Sequence, residues 1–185
     1  NPTGRRVTTN DYSSADYYYV NKSSLPKVYG GFNTSLSWKG FDLSAIFAYS
    51  IGGYIYNRDI TMILHNGSLE GRDWSTEILK RWTPDNRYTD VPALSTTSNN
   101  WNSASTRFLQ NNSYMRLKNL TLSYNLPKQW ISKLSLSSVQ VYVQGDNLFT
   151  IHRNQGLDPE QGITGITYYR YPAMRTISGG INVSF

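Results

Sequence analysis

The sequence predicts an all-β protein whose five antiparallel strands form part of the wall of a larger transmembrane β-barrel. Three observations carry that expectation. Hydrophobic residues alternate with period two in five separate stretches, and these stretches run longer than the ~5 to 6 residues usual in soluble sheets. Aromatic residues gather where the stretches end, as they do at the two interfaces of a membrane barrel. Composition agrees: only 16% of the 185 residues are charged, against roughly 25% in soluble domains. The 15 tyrosines help bring the aromatic content to 14%, so the polar surface rests mainly on Ser, Thr, Asn and Tyr.

Residues 1–27 are Tyr-rich and read as a loop, and residues 28–185 hold the strands. In the first strand Val28, Gly30, Phe32, Thr34, Leu36 and Trp38 share one face, and Tyr29, Gly31, Asn33, Ser35 and Ser37 the other. Lys39-Gly40 suits a two-residue turn. The second strand continues to Gly53 with Phe41, Leu43, Ala45, Phe47, Tyr49 and Ile51 opposite Asp42, Ser44, Ile46, Ala48 and Ser50, which makes the pair a hairpin. A long connection follows from Tyr54 to Thr106. Within it "GRDWSTEILKRW" places Trp74, Ile78 and Trp82 at helical spacing behind Asp73 or Ser75 as a cap, predicting a short amphipathic helix. "TPDNRYTDVPAL" then reads as turn-rich coil.

The third strand runs from about Arg107 to Leu126, and its phase changes. Met115 and Leu117 are odd, whereas Leu120, Leu122, Tyr124 and Leu126 are even, so a β-bulge is predicted near Lys118-Asn119. "PKQWISK" makes a short connection to the fourth strand, where Val139, Val141 and Val143 alternate with Gln140, Tyr142 and Gln144 as far as about Ile151. The fifth is "RTISGGINVSF", alternating from Ile177 to Phe185. Short and long connections alternate, as they do at opposite ends of a barrel.

A soluble β-sandwich serving as a glycan-binding module of a secreted protein is the competing expectation. Strand length, the aromatics Trp38, Phe41, Trp130 and Phe185 beside the short turns, and faces of small hydroxyls, Asn, Gln and Tyr favour the membrane wall. No apolar run reaches the ~18 to 20 residues of a membrane helix, since Ser50, Gly52 and Gly53 interrupt the best candidate, 45–55. The N-terminus has no apolar signal-peptide core and reads as the interior of a longer loop. Five strands cannot close a barrel, and an open edge in lipid leaves backbone groups unpaired, so the wall is expected to be completed by more strands or by further copies of the chain.

Other chemistries find little support. The net charge is +6, but its 18 Lys and Arg are scattered singly, with Thr3 to Arg6 the densest spot, so no nucleic-acid stripe is expected. With no Cys there is neither a disulfide nor a thiolate metal site, and His65 and His152 lie apart without a second ligand at metal spacing. No G-x-S-x-G elbow occurs, and the glycines of "GGINVSF" suit close aromatic packing in a strand. Asp158 and Glu160 could pair for glycoside hydrolysis, but Pro159 between them makes a turn the better reading. No enzyme activity, metal or cofactor is expected.

Six ordered segments carry a family resemblance: "PKVYGGFNTSLSWKGFDLSAIFAYSIGGYIYN", "RWTPDN", "SYMRLKNLTLSYNLP", "VYVQGDNLFTI", "GLDPE" and "YPAMRTISGGINVSF". Together they resemble the C-terminal end of SusC/RagA-type TonB-dependent outer-membrane transporters. The resemblance implies the last five strands of a 22-stranded barrel, a periplasmic C-terminus and extracellular long loops. It further implies import of oligosaccharides or peptides, a SusD-like lipoprotein over the mouth, and a plug and TonB contact outside these residues. On that reading Trp74, Trp82, Tyr88, Trp101, Tyr168 and Tyr169 offer flat faces to substrate or lid, and Gln140, Tyr142, Gln144 and Asp146 line the lumen. Ile177, Ile181, Val183 and the final Phe185 resemble the signal read by the barrel-assembly machinery.

Overall fold

A computed structural model describes residues 9, 11–67, 69–95, 97, 100–134, 136–156, 158–160 and 162–185. Thr3 to Arg6, the densest basic spot, lies outside these. The elements are β1 (Val28–Trp38), β2 (Phe41–Ile51), β3 (Tyr54–Asn57), α1 (Arg58–Ile63), β4 (Leu109–Asn111), β5 (Tyr114–Asn125), α2 (Lys128–Ile131), β6 (Ser138–His152), β7 (Ile166–Thr167) and β8 (Thr176–Ser184). They fall into two compact units.

The larger unit holds an antiparallel meander in the order β1-β2-β5-β6-β8. Lys39 and Gly40 both take positive φ, 46° and 87°, the backbone of the tight turn whose twist matches a β-hairpin. Pairing carries each period-two pattern across the sheet in rows. One row runs Trp38, Phe41, Tyr124, Val141, Ile181, and the next Leu36, Leu43, Leu122, Val143, Gly179. On the opposite face Ser35, Ser44, Thr121, Gln144 and Ser178 align, as do Asn33, Ile46, Asn119, Asp146 and Thr176. The sheet is therefore apolar on one face and polar on the other, with Ile46 an exception on the polar side.

Among the described residues, large side chains on the apolar face stay exposed. Leu36 is 67% exposed, Ile177 73% and Ile181 65%, and a sandwich core would bury all three. That observation disposes of the soluble sandwich. At the short-turn end Phe41 lies 4.4 Å from Tyr124 between ring centroids, and the Lys39 ammonium stands 5.0 Å from the Trp38 ring. Trp130 lies in α2, and Phe185 follows Ser184, which pairs with Ser138 at the foot of β6.

The predicted bulge is present. Leu117 pairs with Phe149 but Asn119 with Asp146, leaving Lys118 unmatched on β5 opposite Asn147 and Leu148 on β6. Asn147 takes a φ of 52°, and Leu148 folds back so that a Cβ at Gly145 would lie 2.7 Å from its Cδ2. The extra residues restore facing on both strands.

Three expectations are corrected. The third strand does not run unbroken from Arg107, because the Asn111 side chain accepts the Ser113 N–H at 2.8 Å and turns the chain between β4 and β5. The second strand stops at Ile51, where the Gly52 N–H turns to Ser113 Oγ at 2.9 Å and Gly52 takes a φ of 93°. The helix expected in 71–82 is only a 3-10 turn over Thr76–Lys80, with Ser75 capping through Glu77 N–H; Ile78 is buried, while Trp74 and Trp82 stay partly exposed.

The smaller unit contains α1, β7, Tyr56 and Asn57 of β3, and Leu109 and Gln110 of β4; β3 is the middle strand of the order β4-β3-β7. Asn57 is fully buried and caps α1 by accepting the Ile60 N–H at 3.1 Å. Ile60, Leu64 and Phe108 form the core, with Tyr56 and Trp101 against it. In the predicted coil the Asn86 N–H bonds Thr83, and Asn86 Nδ2 donates to the carbonyls of Lys80 and Arg81, closing the "TPDN" turn.

Candidate functional site

The polar face of the meander is a connected hydrogen-bond surface. Asn119 Nδ2 donates to Asp146 Oδ1 at 2.7 Å, Thr121 Oγ1 donates to Asn119 Oδ1 at 2.9 Å, and Gln144 Nε2 reaches both Asp146 oxygens at 3.3 Å. Gln140 joins Ser123 and Asn182 lower down. Tyr142 lies over Gly180, where an added Cβ would meet its hydroxyl at 2.7 Å, so the glycine makes room for the ring. Gln140, Tyr142, Gln144 and Asp146 thus share one face, as the alternation requires.

Above this surface the connection between β6 and β8 is tied to the wall by charge. Arg116, only 3% exposed, donates Nε to Thr150 Oγ1, Nη1 to Glu160 at 2.7 Å and Nη2 to Asp158 at 2.5 Å. Lys118 on the bulge adds a 2.7 Å contact to Glu160. Asp158 also accepts the N–H groups of Glu160 at 2.9 Å and Ala173 at 2.6 Å. Burial pushes the Asp158 carboxyl up, but these two N–H groups and the Arg116 guanidinium outweigh it and hold the group below the ordinary carboxylate value. The Asp-Pro-Glu segment is thus a clamped turn whose carboxylates are engaged by cations, an arrangement unlike that of a general acid facing a nucleophile.

The aromatic residues expected to meet substrate or lid lie in the smaller unit. Tyr168 and Tyr169 come together at 4.1 Å between centroids, Arg58 stands 4.7 Å from the Tyr168 ring, and Asp59 accepts the Tyr169 N–H at 3.0 Å. The hydrogen bond between the two phenols raises Tyr168 and lowers Tyr169, with Arg72 adding to the second shift. Trp74 instead donates Nε1 to buried His65 at 3.1 Å. Trp101 carries Arg107 at 4.6 Å and packs on the core, Tyr88 is wholly exposed, and the backbone of Trp82 bonds Val91.

Sequence reasoning missed two features. Arg116 takes the polar position between Met115 and Leu117 and Lys118 sits at the bulge, and a cation inside a wall strand is itself a signal that a partner waits nearby. A tyrosine-lined cavity of about 510 Å³ gathers Tyr12, Tyr17, Tyr18 and Tyr56 beside Ser105 and Thr106, where the Tyr12 hydroxyl donates to the Ala104 carbonyl at 2.7 Å. Tyr56 sits far along the chain from Tyr12, Tyr17 and Tyr18, so spacing alone gives no sign of their meeting.

No protein-family profile matches the chain. It is similar to the TonB-dependent receptor P3 of Formosa agariphila, 34% identical over an alignment of 166 residues, with 84% of this chain and 16% of that protein covered. The TonB-dependent receptor SusC of Bacteroides thetaiotaomicron is 27% identical over 90% of this chain and 16% of its own length. Among solved structures, the RagAB peptide importer in its closed-closed state superposes with a TM-score of 0.83 at 35% identity, covering 100% of this chain and 20% of that one. Its open-open state gives 0.82 at 35% identity over 97% of this chain and 19% of that one. The chain thus spans about a fifth or less of the length of these relatives.

Proposed function

Since this chain is a barrel-wall segment of the SusC/RagA-like TonB-dependent receptors, we propose that it serves an outer-membrane importer of oligosaccharides or peptides. Its role is to separate lipid from a wetted passage: no bond is made or broken, and solute moves along the polar face while the apolar face meets hydrocarbon. The observation that carries this reading is the two-faced meander, with rows such as Leu36-Leu43-Leu122-Val143 on one side and Ser35-Ser44-Thr121-Gln144 on the other.

Further strands complete the barrel, to 22 on the family pattern, with residues 28–185 in the wall and residues 1–27 in an extracellular loop. A SusD-like lipoprotein covers the outer mouth and meets the aromatic loops, with Trp74, Trp82, Tyr88, Trp101, Tyr168 and Tyr169 as the contact groups. Gln140, Tyr142, Gln144 and Asp146 line the passage. A plug domain receives energy from TonB, and the short-turn end with Phe185 faces the periplasm.

The test is positional. In the full transporter reconstituted in vesicles, an environment-sensitive dye on a cysteine replacing Leu122 should be quenched by brominated lipid, and one replacing neighbouring Thr121 should be quenched by aqueous iodide. Equal aqueous quenching at both positions would overturn the proposal.

A further inference from the structure

We propose that the cleft between β6 and the strand-free run from Arg170 to Arg175 binds a carboxylate group of the transported solute. The inference rests on the importer reading and deepens it by naming a substrate class. The cleft encloses about 460 Å³, within the roughly 300–1,000 Å³ range of small-ligand sites. Arg116, Arg170 and Arg175 line it together with Asn147, His152 and Asp158.

Charge is unbalanced there. All twelve Asp and Glu of the chain lie among the described residues. The ion pairs found among those residues join Lys80 to Glu77, Arg116 to Asp158 and Glu160, and Lys118 to Glu160. Asp158 is the lining acid, and it is taken up by Arg116 and two backbone N–H groups. Neither Arg170 nor Arg175 has a carboxylate within 4.0 Å. Arg170 and Arg175 both line this cleft, and each guanidinium carries the planar fork of N–H donors that suits a carboxylate.

Other lining groups say what accompanies that carboxylate. Asn147 Nδ2 donates to the Met174 carbonyl at 3.1 Å, while its Oδ1 is buried with no protein donor. His152 Nδ1 lies 2.9 Å from the Asn154 carbonyl, which can only accept, so Nδ1 is the donor of that bond and is taken up within the chain. The site therefore offers two cations and the Asn147 acceptor, matching a carboxylate with a neighbouring O–H or N–H donor: a uronic acid residue, or the C-terminal end of a peptide. Its frame is held in advance, because Asp158 fixes Ala173 and Asn147 fixes Met174.

The full transporter, purified in detergent, is titrated calorimetrically with tetragalacturonate and its carboxyl-reduced neutral counterpart, and with pentaalanine bearing a free or an amidated C-terminus. At least one acid form should bind about tenfold or more tightly than its neutral partner, and which one does identifies the source of the carboxylate. Arg170→Gln with Arg175→Gln should erase that preference, whereas Lys128→Gln with Lys133→Gln, the same charge change away from the cleft, should leave it. Absence of binding, equal binding of acid and neutral probes, or a preference that survives the arginine substitutions would overturn the carboxylate site. Failure of the importer reading has a separate readout, the loss of the heat-sensitive gel mobility of a folded barrel.

Discussion

Arg116 shows how a wall strand carries a cation without an unfavourable burial. Two carboxylates and a hydroxyl surround its guanidinium, and removing it would take the cationic partner from buried Asp158, leaving that carboxylate to neutral N–H donors beside a Glu160 paired with Lys118. Arg116→Met should therefore loosen residues 153–165 by about 3 kcal/mol, read as faster hydrogen exchange in peptides covering that segment, while peptides from β1 and β2 keep their protection. Acidity should do the same by another route. The Asp158 carboxyl is held below its ordinary value, so its stabilisation is complete above about pH 4 and is lost as pH falls through the lower folded value. Exchange at the Glu160 and Ala173 amides should stay slow at pH 5 and quicken only below about pH 4, and Asp158→Asn should remove that dependence. None of this was legible in "GLDPE" alone. A turn around Pro159 was, but its partners lie on β5, more than forty residues away in the chain, and no local pattern encodes a contact of that range.

Elements built on a strict period were the readable ones. β1, β6 and β8 match expectation because each alternates over nine or more residues and a one-residue slip would invert every side chain. The bulge was readable for the same reason, since a phase change within one strand demands an extra residue. Deleting Lys118 should turn Leu120, Leu122 and Tyr124 onto the polar face and reduce folded barrel to background on a semi-native gel, whereas Lys118→Ala should fold and lose only its pair with Glu160. Less legible were the short helical turns. α1 has six residues and rests on the Asn57 cap, and a segment of that length offers too few apolar positions to set a period. Trp74 misled because its ring is held by His65, a polar contact that mimics an amphipathic face in sequence. The break before β5 depends on one Asn111 side-chain hydrogen bond, which propensity does not foresee.

For the molecule as a whole, two faces of opposite character decide its environment, and the polar loops decide what it meets there. Alternation was enough to put Gln140, Tyr142, Gln144 and Asp146 on one face; the cleft arginines were not legible, because Arg170 and Arg175 lie in coil and their surplus charge appears only once every carboxylate has been placed. The C-terminal edge tests assembly. Ile177, Ile181, Val183 and Phe185 stand exposed along or just beyond β8, and Phe185→Ala should lower membrane insertion of the full transporter severalfold, measured as folded protein in isolated outer membranes; unchanged yield would remove the assembly role from that residue. The path of the chain around β3 carries a separate consequence. Asn112 N–H bonds the Gly53 carbonyl at 2.8 Å, and Ser113 Oγ receives Gly52, so the chain departs after Gly53 and returns at Asn112 through adjacent positions. The two ends of the segment between those residues are thus held side by side by backbone and side-chain hydrogen bonds. Ends pinned together in this way let the intervening loop change length at little cost in closure entropy, because each doubling of a loop adds only about 0.6 kcal/mol.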